Sequence, residues 1–600
     1  MINTLKYFYI FNNELNIWHR ETTHHFAYSD GENIEERLLQ ALRCVKDKST
    51  LSTELYELQR DWPSYYHFSS LRANLLRPFA STLLQGSRVL ELGCGCGALS
   101  RFLAETAEYV CAVEGSKKRA AIAAARCDDL TNITIVADAI QNLPQEIGKF
   151  DIVTLIGVLE YAAIFDDHET PALHLLQLAQ NFLKPGGCLI LAIENKLGLK
   201  YFAGIPEDHI GIAWGGITGA YKDHGVKTYS RHELQELLKK SGFNKFEQFV
   251  PIPDYKLPTD ILTPEGLHTS SNIWNVAPLL TSRRNYEPQG IFNLPNAWRN
   301  IVEAELLPDM ADSLGFLAYA GGKRNNFTPW SPNILLYHYG VTPRDDKNFA
   351  KEATFQKTSS GIKIERKLLY HDGDIKEGQY TFRPISELYI RGTELLEEAR
   401  KATARPGWTT NDLARALQPW IDALKQNMVE GKLPPKFLDA APFNATLTSA
   451  GNVQFFDLEW IDSGPVDFLS TVTNHLYHSL DKLGGVYQPS DNTPTAYPEL
   501  ILALLHAWGF TFSLRDLKNC WINAKTLWTH LFKNRPTWEE LCMCHVFITP
   551  SAITDYKSLQ AEHKKIINSF SWKITKPLRK TKTWYVKAKT AFRGNPPKKK

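Results

Sequence analysis

Ser87–Glu105 reads SRVLELGCGCGALSRFLAE, a short apolar strand at Val89–Leu92, three spaced glycines, then a helical pattern. Gly93, Gly95 and Gly97 let the backbone turn sharply and approach a ligand closely. Alone, such a triplet is weak evidence, so the reading depends on the downstream segments. YVCAVEGS (Tyr109–Ser116) is a second strand ending in Glu114, 23 residues after Glu91. NITIVADAI (Asn132–Ile140) is a third, with Asp138 at its carboxyl end, and FDIVTLIGVLEYA (Phe150–Ala162) is a fourth. KPGGCLILAIEN (Lys184–Asn195) is a fifth, entered through a Pro-Gly-Gly turn. Strands alternating with helices predict a parallel sheet that binds its ligand at the carboxyl ends of the strands. An acid placed like Glu114 can accept both hydroxyls of a ribose.

These segments resemble the class I S-adenosylmethionine (SAM)-dependent methyltransferases over about Trp62 to Pro251. A nicotinamide dehydrogenase would show G-x-G-x-x-G, whereas this order is Glu91-x-Gly93-x-Gly95-x-Gly97. The resemblance implies SAM as cofactor, the glycines and Glu91 around it, Glu114 on the ribose and Asp138 beside the adenine amine. It also implies Gly157, in GVLEY, as part of the fourth motif. WPSYYHFSSLRANLLRPF (Trp62–Phe79) reads as an amphipathic helix. By the same resemblance it covers the cofactor and brings Tyr65, Tyr66 and Arg72 to it; a plain packed helix is the alternative. YSRHELQELLKKSGF (Tyr229–Phe243) predicts a helix with Ser230 as N-cap, Glu233 closing a capping box and Gly242 as stop.

Methyl transfer is an in-line displacement, and a hydroxyl acceptor must also lose its proton. The loop after strand five, ENKLGLKYFAGIPEDHIGIAWGG, offers Asn195, Asp208 and His209, with His209 the base of suitable pKa. No N-P-P-Y-type run precedes strand five, which favours an oxygen over a nitrogen acceptor.

VPIPDYKLPTDILTPEG marks a domain edge near Pro251–Gly266. The stretches Asn325–Val341, Glu352–Ser360 and Gly361–Tyr370 alternate like antiparallel strands. A bend at YIRG comes next, then helices, then FLDAAPFNATLTSAGNVQFFDLEW (Phe437–Trp460). Asp439, Asn444 and Asp457 occur there in the order and spacing of a protein-kinase-like fold. That resemblance implies Asp439 as acceptor of the substrate proton, and Asn444 and Asp457 as magnesium ligands for ATP. The His-Arg and Phe-Gly of that family are absent, no glycine-rich loop is evident, and Lys363 and Lys367 are the phosphate-binding candidates.

Charge is uneven. Residues 561–600 carry +12, so with a chain total of +3 the other residues carry −9. Aromatic and aliphatic side chains among the lysines of Ile566–Phe592 suit an anionic membrane surface, with nucleic acid the rival ligand. The chain has no evident leader and nine cysteines without framework spacing, so a cytoplasmic protein on the inner face of the membrane is expected. CMCH (Cys542–His545) lacks a second ligand pair and reads as packed thiols.

The expected organisation is an N-terminal extension (1–60), a Rossmann-like doubly wound α/β methyltransferase domain (61–255) and a linker region (256–315). After these come an α+β kinase-like domain (316–490), a helical region (491–560) and the basic tail (561–600). The order resembles bifunctional enzymes that cap bacterial O-polysaccharides. It implies a glycan or lipid-linked oligosaccharide acceptor and glycosyltransferase partners. A nucleic-acid or protein methyltransferase and a non-catalytic scaffold are the competing readings.

Overall fold

The computed structural model describes residues 2–21, 29–268, 291–321, 329–340, 347–531 and 536–549. Residues 1–548 form one compact unit. The basic tail lies outside the described residues. Among those described, no helix is long and apolar enough to cross a membrane.

One sheet runs through most of this unit. Its strands are β1 (Ile10–Asn12), β2 (Ile17–His19), β3 (Arg88–Leu92), β4 (Tyr109–Glu114), β5 (Ile133–Ala137), β6 (Phe150–Ile156) and β7 (Leu183–Glu194). Then come β8 (Lys245–Ile252), β9 (Asp260–Leu262), β10 (Ser313–Tyr319), β11 (Ile334–Gly340), β12 (Lys351–Thr358) and β13 (Gly361–Leu368). The spatial order is β1-β2-β5-β4-β3-β6-β7-β10-β8-β9-β11-β12-β13, closed by Glu387–Leu388. The run from β2 to β7 is parallel; every pairing from β7–β10 onward is antiparallel. The order reverses at β3, which opens a crevice beyond its carboxyl end.

The parallel strands are apolar on both faces because both are covered. Val89, Ile152 and Ile190 pack with Leu99, Phe102, Ala120 and Ala123 of helices Ala98–Thr106 and Lys117–Arg126. Leu90, Val153 and Leu191 face the other way, onto Leu175, Leu176, Leu234 and Leu238 of helices Pro171–Asn181 and Arg231–Lys240. The second of those helices starts in the expected Ser230–Glu233 capping box.

Three expectations need correction. Residues 256–315 are not a linker: β9 bridges β8 to β11, and β10, which spans the expected boundary at 316, inserts between β7 and β8. The stretch from Trp62 is not one helix. An α-helix ends at Phe68, where extended Ser69 interrupts it, and short 3-10 turns occupy Ser70–Leu75 and Arg77–Phe79. The helices after residue 491 are not a separate region. Tyr497–Ala507 and Leu514–Leu531 share a core with Thr410–Gln426 and Phe468–Asp481, built on Trp420, Leu476, Leu504 and Trp521.

Candidate functional site

A cavity of about 280 Å³ opens at the carboxyl ends of β3, β4 and β6. Its floor is the glycine turn. Gly93 and Cys94 donate to the Val113 carbonyl at 2.9 Å each, folding the turn back over β4. Gly93 has φ 81°, and a Cβ there would overlap the Val158 side chain. Gly95 N–H donates to Glu114 Oε2 (2.8 Å) and Ser116 N–H to Oε1 (2.9 Å), so backbone amides fix this carboxylate at the cavity edge. Glu91 lines the floor and is buried. Burial pushes its carboxyl up to about 7, against the Ser100 hydroxyl that donates to it at 2.6 Å. A cation entering the cavity would favour its ionised form.

Arg72 and Tyr66 form one wall, the guanidinium lying 4.4 Å from the ring centre. Arg72 Nη1 donates to the Lys256 carbonyl (3.0 Å), while its buried Nε has no hydrogen-bond partner. An orphaned donor of this kind fits a carboxylate-bearing ligand. Gly157 completes the opposite wall, where a Cβ would come 2.7 Å from the Tyr255 hydroxyl. A cradle of bare glycines, two acids and a guanidinium with one orphaned donor suits SAM, which carries a ribose, an α-amino acid and a sulfonium.

Three expected cofactor contacts are not at the cavity. Gly97 (φ 82°) serves helix packing, since a Cβ would lie 2.7 Å from Ala123 Cα. Tyr65 is not in the lining; its ring packs edge-on to Trp62, and the adjacent Tyr66 faces in. Asp138 is turned away toward the N-terminal hairpin, accepting from the Tyr9 hydroxyl and Arg20 Nε at 2.7 Å each. Its neighbours Ala139, Ile140 and Gln141 line the cavity instead.

Beyond Gly157 lies a buried ionic cluster. His209 Nε2 meets Glu194 Oε2 at 3.3 Å and its Nδ1 meets the Tyr161 hydroxyl at 3.2 Å. Burial lowers the imidazole pKa, but the carboxylates of Glu194 and Glu160 outweigh it and bring it up to about 9. The Lys256 ammonium pairs with Glu194 and stands 3.7 Å from Asp208. Asp208 accepts from Lys200 Nζ (2.8 Å) and the Tyr201 hydroxyl (2.7 Å). These partners overcome burial and hold it well below the usual carboxylate range, so it is a poor base. Asn195 is structural: its amide donates to the carbonyls of Asp309 and Ala311 at 2.7 and 2.8 Å. Glu160 is buried, its Oε1 is 3.4 Å from the Tyr255 hydroxyl, and burial and Glu194 raise its pKa. Donor atoms of Glu160, Glu194 and His209 lie within 4.8 Å of one another, but Lys256 already supplies that cluster with a cation.

The sequence reading missed Glu160, Glu194, Tyr255 and Lys256. The last two lie in the loop after β8, within the proline-rich stretch read as a domain edge.

A second cluster lies around the antiparallel end of the sheet. Asp439 and Asn444 sit on successive 3-10 turns, and the Asn444 amide donates to the Asp439 carbonyl (2.9 Å). The hairpin of Ala445–Leu447 and Val453–Phe455 then delivers Asp457, held at φ 55°. A non-glycine residue in that region stores about 1–3 kcal/mol of strain. Asp457 Oδ1 is 3.5 Å from Lys351 Nζ and 3.0 Å from Arg366 Nε. Glu459 pairs with the same lysine and lies 3.7 Å from the same arginine. Burial and Asp457 push Asp439 up to about 7, against Lys351 and Lys482. Lys363 and Lys367 are elsewhere: they pair with Glu365 and with Glu352 at 2.8 Å, and the Lys367 side chain is 68% exposed. Lys351 is the lysine that faces the acids.

Residues 64–248 match a family model described as "Methyltransferase domain". The chain is 31% identical over 121 residues to a ubiquinone biosynthesis O-methyltransferase of Xanthomonas campestris pv. campestris, covering 20% of this chain and 47% of the relative. It is 27% identical over 165 residues to the protein of that name in Pseudomonas aeruginosa, covering 27% and 66%. The chain thus spans about half to two thirds of the length of these curated relatives. Among solved structures, a possible histamine N-methyltransferase of Thermotoga maritima matches at 17% identity and TM-score 0.26, over 46% of this chain and 99% of that one. The methyltransferase-domain match is confined to residues 64–248, the segment that carries β3 to β7 and the glycine turn of the cavity.

Proposed function

We propose that the protein transfers a methyl group from SAM to a hydroxyl of a bacterial surface-glycan intermediate, and that its C-terminal half is a magnesium–nucleotide centre of kinase-like design. The observation that carries the first half is one cavity with a glycine cradle, Glu91, Glu114 and Arg72 at one side and His209 at the other. Bound SAM supplies a methyl carbon activated by its sulfonium. Glu114 holds the ribose, Glu91 the ammonium, and Arg72 Nε the carboxylate. Glu194 fixes His209 through Nε2, which leaves Nδ1, now facing Tyr161, to take the acceptor's proton. The glycan acceptor rests on the order of the two halves and on the basic, aromatic tail. The relatives' names favour O-methylation and suggest a phenolic acceptor as the alternative.

The test is methyl transfer from labelled SAM to a panel of non-reducing oligosaccharide ends and catechols. Alkali-stable label on a sugar hydroxyl supports the reading. Label only on catechols, or on protein or nucleic acid, overturns the acceptor class.

The second half is supported by the meeting of Asp439, Asn444, Asp457 and Lys351. In this reading Asp457 and Asn444 hold magnesium, Lys351 the nucleotide phosphates, and Asp439 the acceptor hydroxyl. Glu459 fills the place of a lysine-pairing acid, two residues after Asp457.

A further inference from the structure

Phosphoryl transfer depends on positive charge placed where the migrating group carries its negative charge. Around the second cluster most cations are already committed. Lys351 pairs with Asp457 and Glu459, and Arg366 with Glu387 (2.8 Å) and Asp457 (3.0 Å). His338 is bound to Asp260 at 2.7 Å. Lys482 is different. It caps the C-terminus of helix Phe468–Asp481, is exposed, and forms no ion pair within 4.0 Å among the described residues. Its ammonium lies 4.0 Å from the Phe443 ring centre, one residue before Asn444. Its charge is felt by Glu394 and by Asp439.

The position is built. His475, on the same helix, shares a hydrogen bond with the Leu438 carbonyl through Nε2 (3.1 Å), tying the helix to the Asp439 turn. Arg400 Nη2 donates to the Lys482 carbonyl (2.8 Å), fixing the backbone from which the side chain reaches out. The turn itself offers no cation between Asp439 and Asn444, where Ala440, Ala441, Pro442 and Phe443 stand. A lysine arriving from a distant helix therefore supplies the charge that the turn lacks.

We propose that Lys482 is a catalytic residue of the second centre, its ammonium binding the phosphoryl group in flight between the nucleotide and the acceptor hydroxyl at Asp439. This rests on reading that cluster as a phosphoryl-transfer site. In the step, the acceptor oxygen bonds to the terminal phosphorus and the bond from that phosphorus to the bridging oxygen breaks. The electron pair stays with the nucleoside diphosphate, and the acceptor proton passes to Asp439. Lys482 forms no covalent bond and offsets charge on the equatorial oxygens.

The experiment uses the full chain and ADP, with and without aluminium fluoride, in magnesium buffer. Binding is read by calorimetric titration for wild type, Lys482→Ala and Lys482→Arg, with SAM affinity as the control for folding. Wild type should bind ADP–aluminium fluoride at least about tenfold more tightly than ADP. Lys482→Ala should lose most of that enhancement while its ADP affinity stays within about twofold, and Lys482→Arg should keep part of it. An unchanged enhancement in Lys482→Ala overturns the role of Lys482 and leaves the second centre standing. Loss of ADP binding in a variant that still binds SAM also overturns it, because the lysine then holds the ground state. If wild type gains nothing from fluoride, or binds no nucleotide with magnesium, the second-centre reading fails, and the inference with it.

Discussion

Lys256→Met tests the ionic cluster behind the glycine-lined cavity. Lys256 lies between two acids, pairing with fully buried Glu194 and standing 3.7 Å from Asp208. Removing one partner of a buried pair costs about 3–5 kcal/mol, because the other charge is left without compensation. Here His209 remains 3.3 Å from Glu194 and Lys200 remains 2.8 Å from Asp208, which places the loss at about 3 kcal/mol. For one cooperative unit the size of residues 1–548, that is a fall in Tm of about 3 °C by calorimetry. Linkage sets the pH dependence. In wild type the Glu194 pKa is depressed, so its contribution is present above the unfolded pKa and is lost as pH falls through the folded one. In Lys256→Met the carboxylate is buried without its main partner, and its cost vanishes as the group takes a proton. The gap in Tm should therefore narrow between pH 7 and about 4.5. Glu194→Gln on top of Lys256→Met should restore most of the loss. A Tm within about 1 °C of wild type at pH 7, or a gap that ignores pH, refutes the reasoning.

Gly97→Ala and Gly95→Ala should part company. Both need a left-handed backbone, at about 1–2 kcal/mol for a residue with a Cβ. Only at Gly97 does the new carbon meet backbone, 2.7 Å from Ala123, whereas at Gly95 it meets the tip of Arg119 at 3.1 Å. Thermal unfolding should show the larger drop for Gly97→Ala, and titration with SAM the larger affinity loss per degree for Gly95→Ala. Methyl transfer should rise with pH, log kcat/KM climbing with unit slope to a break at or below about 9, where His209 loses its proton. The bound sulfonium pushes that break down, and His209→Gln should flatten the profile. His209 also contributes stability below its unfolded pKa, a contribution lost as pH rises through about 9.

The parallel half of the sheet was legible because each strand is a run of β-branched and aliphatic residues between glycine turns and helices. Glu114 was legible because strand ends can be read off such runs. Asp138 was found at the end of its strand, yet its side chain is claimed by Tyr9 and Arg20, over 100 residues away, and no local pattern signals that. β10 was missed as a member of this sheet because it returns between β7 and β8 after an insertion of some sixty residues. The outward direction of Lys363 and Lys367 was legible in the sequence. On β13, Ile362, Ile364 and Leu368 face inward, so odd-numbered positions face outward and the inward cation is Arg366. Lys351 opens its strand, where alternation gives no direction.

The central claim is that the glycine cradle and its acids form a SAM site. Calorimetric titration of SAM into wild type and Glu114→Ala tests it directly. Wild type should bind one SAM per chain. A Glu114→Ala variant of unchanged Tm should lose on the order of 1.5–3 kcal/mol for each charge-assisted bond removed, at least tenfold in Kd. Equal SAM affinity in the folded Glu114→Ala protein, or no binding by wild type, would contradict it.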